Sequence, residues 1–126
     1  MDQLCIGIDI VEVDTIKKII QTSGPAFCAR TFSPQEIEAC EGRKSAKYQC
    51  FSARFAAKEA FMKALGTGWN KKIQWRHIEV LNKPGGEPFI LLNKMAEQLF
   101  LEKGLTVISL SISHTGLVAV ACVILR

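Results

Sequence analysis

Residues 44–65 read as one long helix that must lie close against its neighbours. Ala53, Ala56, Ala57, Ala60 and Ala64 fill its centre, and alanine both favours helix and lets another backbone approach. Gly66-Thr67-Gly68 stops it. At about 100° per residue, Ser52, Ala56, Glu59, Lys63 and Gly66 fall on one side. Phe51, Phe55, Met62 and Leu65 form a separate apolar stripe that reads as core. Upstream, Leu4, Ile6, Ile8 and Ile10 alternate with Cys5, Gly7, Asp9 and Val11, the pattern of a strand. The isoleucine face is expected to supply the core, leaving room beside Asp9 on the other.

The remaining elements follow from caps and breakers. A helix from about Val13 to Thr22 stops at Ser23-Gly24-Pro25. Another opens at Ser33-Pro34-Gln35-Glu36, a capping box with Pro at the first helical position, and ends near Gly42. Ile73 to Leu81 reads as a strand, Lys83-Pro84-Gly85-Gly86 as a turn, and Pro88 to Leu92 as a returning strand. Asn93 is expected to cap a helix to about Lys103, closed by Gly104. Leu105–Ser113 and Leu117–Leu125 form a hairpin around His114-Thr115-Gly116. The order is βαααββαββ, a single compact α+β domain over residues 1–126.

With 126 residues, 48% of them hydrophobic, the chain can bury a core without help from a metal or disulfide. No apolar run approaches the ~20 residues of a membrane span. The early apolar stretch is broken by Asp9 and Glu12, unlike a secretory signal. A cytoplasmic location is expected, with no membrane partner. Cys5, Cys28, Cys40, Cys50 and Cys122 form an odd set without a C-x-x-C pair, and read as reduced structural thiols. Charge is uneven: residues 41–83 carry ten Lys and Arg against three Asp and Glu, a net +7, and the rest sums to −3. That favours phosphate ligands or an acidic macromolecule, or is simply a solvated helix face.

Three places offer chemistry. Asp9 sits in an apolar strand, where a carboxylate is costly unless paired or metal-bound. Glu59 lies on the helix side floored by Ala56 and edged by Ser52; alone, an i,i+4 pair with Lys63 is a modest surface ion pair. His114, in the hairpin turn, suits a base, a phosphate donor or a plain turn residue. The chain lacks a Walker loop, a Gly-x-Gly-x-x-Gly fingerprint and a Gly-x-Ser-x-Gly elbow. His77 is assigned no role.

Three segments occur in a recognisable order. They are Cys5 to Val13 (CIGIDIVEV), Arg54 to Gly68 (RFAAKEAFMKALGTG) and Ser111-Ile112-Ser113-His114-Thr115, with Gly86-Glu87-Pro88 before the short strand. Together they resemble the holo-acyl-carrier-protein synthase family, the short, trimeric class of 4′-phosphopantetheinyl transferases. The resemblance implies transfer of 4′-phosphopantetheine from coenzyme A to a serine of apo-acyl carrier protein, with release of adenosine 3′,5′-bisphosphate. It implies Mg²⁺ held by Asp9 and Glu59, and Lys63 facing the pyrophosphate. It further implies Arg54 and His114 at the coenzyme A nucleotide, with Gly66 and Thr115 as close backbone contacts. Glu59 is the favoured acceptor of the serine proton, and Asp9 remains open. The family often has Arg where this chain has Thr15; Lys17, Lys18 and Arg30 are the basic residues left to hold the acidic carrier. Trp69-Asn70 after Gly68 is expected to reshape the rim.

Arg54 and Glu59, five residues apart, point about 140° away from each other. One small ligand reaches both most easily if the chain is a symmetric oligomer with each site shared between neighbours, and the resemblance implies that this oligomer is a homotrimer. Two other readings compete. A basic nucleic-acid-binding module would use the +7 segment with Trp69 and Trp75, but no RNA-binding signature is present and aromatic content is 8%. A non-catalytic structural oligomer would be expected to have lost Asp9 or Glu59.

Overall fold

The computed structural model describes residues 3–66 and 73–126. Thr67, Gly68, Trp69, Asn70, Lys71 and Lys72 lie outside the described residues, and with them the rest of the helix stop and the Trp69-Asn70 rim. The chain runs β1 (Cys5–Glu12), α1 (Val13–Thr31), α2 (Pro34–Glu41), α3 (Lys47–Leu65), β2 (Ile78–Asn82), β3 (Pro88–Leu92), α4 (Lys94–Glu102), β4 (Ile108–His114) and β5 (Val118–Leu125). This is the α+β class and order expected, with 3₁₀ turns at Lys44–Ala46 and Trp75–His77. The second turn takes the first part of the strand expected from Ile73.

α3 is the axis of the fold. Ala56, Ala57 and Ala60 are fully buried, and the helix ends at Gly66 in the left-handed conformation, φ 80°. Gly7 explains how closely α3 meets β1. A Cβ at that position would stand 1.9 Å from the Ala60 carbonyl oxygen and 2.6 Å from the Ala64 nitrogen. Only a residue without a side chain allows this backbone-on-backbone contact.

That contact decides which face of β1 points inward, and it reverses the sequence expectation. Gly7 and Val11 face α3, while Leu4, Ile6, Ile8 and Ile10 are exposed, Ile10 at 65%. β1, β5 and β4 form one antiparallel sheet, and β2 and β3 pair separately. Asp9 lies opposite Ala121, which lies opposite Ile112. Val11 lies opposite Ala119, which lies opposite His114. Cross-strand partners share a face, so Asp9 and His114 occupy the same α3-facing side at opposite edges of the sheet.

α1 runs nine residues beyond Thr22, kinking at Ser23 (φ −126°, ψ 24°) and continuing with Pro25 inside. Pro25 sits in the first turn after the kink, where its missing N–H leaves little unsatisfied. The Ser33–Glu36 capping box forms as expected. Glu36 does more: fully buried, it accepts hydrogen bonds from Ser33 N at 2.9 Å, Val80 N at 3.1 Å and Lys58 Nζ at 2.8 Å. Lys58, equally buried, also donates to the Trp75 and Ile78 carbonyls. This network ties α2, α3 and β2 together. Burial lowers the Lys58 pKa, with Glu36 opposing the shift. Asn93 precedes α4 without a side-chain cap and instead donates to Glu79 Oε1 at 2.7 Å.

Candidate active site

The candidate residues gather on two sides of α3. On the first, Asp9 and Glu59 line a groove of about 460 Å³ with Val11, Thr15, Ile19 and Phe55. Lys63 Nζ donates to Asp9 Oδ1 at 2.9 Å and to the Ile8 carbonyl at 3.1 Å. Lys63 therefore reaches across to the strand, whereas helical spacing alone suggested Glu59 as its partner. The Asp9 side chain is 15% exposed and the Lys63 side chain 55%, so the pair stands at the groove edge. Thr15 contributes to the groove wall.

Ser52 does not edge this groove. It is fully buried, its Oγ without a hydrogen-bond partner among the described residues. Phe55, one turn before Glu59, takes that place and stacks on Trp75 with ring centroids 4.8 Å apart. The apolar stripe of α3 is thus not all core: Phe51, Met62 and Leu65 are buried, but Phe55 is half-buried and shapes the site.

On the other side of α3, Arg54 and His114 line a pocket of about 180 Å³ with Arg43, Cys50, Asn82 and Pro88. Arg54 is buried. Its Nη2 donates to Asn82 Oδ1 at 2.9 Å and its Nη1 to Cys50 Sγ at 3.0 Å. Its Nε is buried without a partner, and it makes no ion pair to a carboxylate among the described residues. Burial lowers the Arg54 pKa; Glu36 opposes this and Arg43 adds to it. A buried guanidinium with a spare N–H is suited to an anionic ligand. Asn82 Nδ2 donates to the Gly86 carbonyl at 2.8 Å, so the β2–β3 turn and Arg54 are held by one side chain.

His114 is exposed at the end of β4. Thr115 Oγ1 accepts from Leu117 N at 3.1 Å and Val118 N at 3.2 Å, closing the hairpin turn beside it. Gly66 ends α3, its N–H donating to the Met62 carbonyl. Sequence reasoning missed Asn82 and Arg43 as pocket residues. Asn82 carried a signal, a polar side chain ending an apolar strand next to a Gly-Gly turn; Arg43 was one cation among many.

The cysteines correct another expectation. Cys40 and Cys50 form a disulfide, while Cys5, Cys28 and Cys122 are free. The buried Cys28 thiol has its pKa raised, chiefly by burial. The pairing has no short-spacing motif, because it joins the end of α2 to the first turn of α3.

No helix among the described residues is long and apolar enough to cross a membrane. Residues 5–120 match the sequence profile of the 4′-phosphopantetheinyl transferase superfamily. The holo-acyl-carrier-protein synthase of Trichlorobacter lovleyi is 48% identical over 123 residues, covering 98% of this chain and 97% of the relative. The crystal structure of holo-acyl-carrier-protein synthase from Neisseria meningitidis superposes with a TM-score of 0.87 at 30% identity, covering 97% of each chain. The Helicobacter pylori enzyme, solved in complex with coenzyme A, gives a TM-score of 0.82 at 34% identity, with 96% of this chain and 99% of that one covered. The chain is an enzyme that belongs to the 4′-phosphopantetheinyl transferase superfamily, in its holo-acyl-carrier-protein synthase family.

Proposed function

We propose that the enzyme transfers 4′-phosphopantetheine from coenzyme A to a serine hydroxyl of apo-acyl carrier protein, releasing adenosine 3′,5′-bisphosphate. One observation carries the reading: α3 presents a carboxylate groove with a lysine at its edge on one side, and a buried arginine pocket on the other. Phosphoryl transfer asks for charge neutralisation and positioning, and these two sides supply cations and carboxylates for it. The serine oxygen bonds to the pantetheine-side phosphorus, the pyrophosphate P–O bond breaks, and the nucleotide leaves with that bond's electron pair. Glu59 is the acceptor for the serine proton at its carboxylate. Lys63, anchored on Asp9, faces the pyrophosphate. Arg54 and His114 take the nucleotide phosphates, and the Gly66 and Thr115 backbones make close contacts to coenzyme A.

Asp9 and Glu59 suit Mg²⁺ by their donor chemistry: two hard carboxylates line one groove. When bound there, Mg²⁺ neutralises charge on the phosphate oxygens.

Each active site joins the groove side of α3 in one subunit to the arginine side of α3 in the next subunit of a homotrimer. The exposed Leu4, Ile6, Ile8 and Ile10, adjoining Val120, Cys122 and Ile124 of β5, form an apolar sheet face suited to burial against other subunits. The acidic carrier docks on the basic α1 surface of Lys17, Lys18 and Arg30. The reaction takes place in the cytoplasm and involves neither membrane nor nucleic acid. The test is to incubate enzyme, coenzyme A, Mg²⁺ and apo-carrier, and read the carrier's intact mass. A gain of one phosphopantetheine, lost in excess chelator and in Asp9→Ala and Glu59→Ala, is expected. An unchanged carrier would overturn the activity, and transfer undiminished by chelator would overturn the metal.

A further inference from the structure

The Cys40–Cys50 bridge stands in the wall of the Arg54 pocket rather than in a remote part of the core. Cys50 lines that pocket, and its Sγ accepts the Arg54 Nη1 hydrogen bond at 3.0 Å. The bridge also closes the segment between α2 and α3, which carries Arg43, another pocket residue. Within that segment Lys44 is held at φ 53°, a left-handed conformation that costs a non-glycine residue free energy and persists only where its surroundings enforce it. Bridge, segment and arginine are therefore one mechanical unit.

We infer that Cys40–Cys50 is a redox site built into the nucleotide pocket, and that its reduction weakens binding of the adenosine bisphosphate end of coenzyme A. The inference rests on the reading of that pocket given above. Small thiols are the reductant, a class to which coenzyme A itself belongs. The first thiolate attacks Cys50 Sγ, the sulfur at the pocket; its S–S bond to Cys40 breaks, and Cys40 leaves as a thiolate that takes up a proton. A second thiolate attacks the small-molecule sulfur of the mixed disulfide and frees Cys50. Two small thiols become one disulfide, and the protein gains two thiols.

Two consequences act in the same direction. In the bridged state Cys50 is uncharged and offers phosphate no anionic competitor for Arg54. Once reduced, Cys50 has a guanidinium within hydrogen-bond distance, the setting that stabilises a thiolate. That thiolate competes with the ligand for Arg54. Stabilising the reduced form also makes a disulfide easier to reduce. Meanwhile the segment carrying Arg43 and the left-handed Lys44 loses its tether and relaxes.

Adenosine 3′,5′-bisphosphate is a suitable probe because it has no thiol of its own. Its dissociation constant is measured by calorimetry on the full protein, first oxidised and then with excess dithiothreitol, with the state of the cysteines read by alkylation and mass. Reduction is expected to weaken binding by at least about fivefold, the lower end of typical coupling between sites. Cys40→Ala should bind like the reduced protein under both conditions. Equal affinity in the two states, or free thiols at 40 and 50 after oxidation, overturns the redox site and leaves the transferase reading standing. No binding in either state removes the nucleotide pocket and this inference together, while carrier modification tests the transferase activity separately.

Discussion

Replacing Gly7 by alanine probes the contact that orients the whole site. The added carbon would lie 1.9 Å from the Ala60 carbonyl oxygen, where ordinary contact begins at 3.4 Å. α3 and β1 must then separate by about 1.5 Å, and neither neighbouring atom belongs to a side chain that can swing aside. Overpacking of this kind costs about 1–3 kcal/mol, and a backbone clash belongs at the upper end. For a chain of this length that is a fall in Tm of roughly 10 °C. The same separation moves Lys63 away from Asp9, and a shift of about 1 Å at a reacting centre can cost a hundredfold in rate. Differential scanning calorimetry and carrier-modification rates read the two effects. Gly24→Ala is the control: nothing lies within 4 Å of its added carbon, so stability should hold or rise. A Gly7→Ala protein with parental Tm and parental rate would refute the close-packing explanation.

Other perturbations reach the remaining elements. Lys58→Met leaves Glu36 buried without its cation and should cost about 3–5 kcal/mol; adding Glu36→Gln should recover part of it, and a chemical-denaturation series in which the double variant is no better than the single would contradict the pairing. Ile8→Asp puts a charge on the exposed sheet face and should convert the proposed trimer into folded, inactive monomers by light scattering and circular dichroism; an unchanged mass would exclude that face as the interface. Reversing Lys17 and Lys18 to Glu should raise KM for the carrier far more than for coenzyme A, and more so at low salt; equal effects on both substrates would remove α1 as the docking surface.

Local rules made the element order legible. Ser33 and Glu36 announced α2, Gly66 ended α3, and alternation marked the strands. What local pattern could not supply was the direction each face points. Leu4, Ile6, Ile8 and Ile10 are the most apolar face of β1, and hydropathy assigns them to the core. The choice is made by Gly7, whose missing side chain admits α3 on the opposite face. An isoleucine face left outside is intelligible once more than one copy of the chain is considered. The 140° separation of Arg54 and Glu59 was readable from helix geometry, and the structure places them in separate pockets. The partners of these side chains were not. Asp9 meets Lys63 across 54 residues of sequence, and Arg54 meets Asn82 across 28. Cys40 and Cys50 pair because α2 and α3 pack together, and no spacing rule anticipates that.

The most direct test concerns the two sides of α3. Glu59→Ala removes a carboxylate from the groove and Arg54→Ala empties the other pocket, so each variant alone should be inactive. Mixed in equal amounts, dissociated and reassembled, the two chains would form random trimers under the proposed assembly. If each site joins the groove of one subunit to the arginine pocket of the next, about a quarter of the sites receive both intact halves. Carrier modification should then return to roughly a quarter of the parental rate. Reassembled mixtures as inactive as the separate variants would contradict shared sites and remove Arg54 from the coenzyme A site.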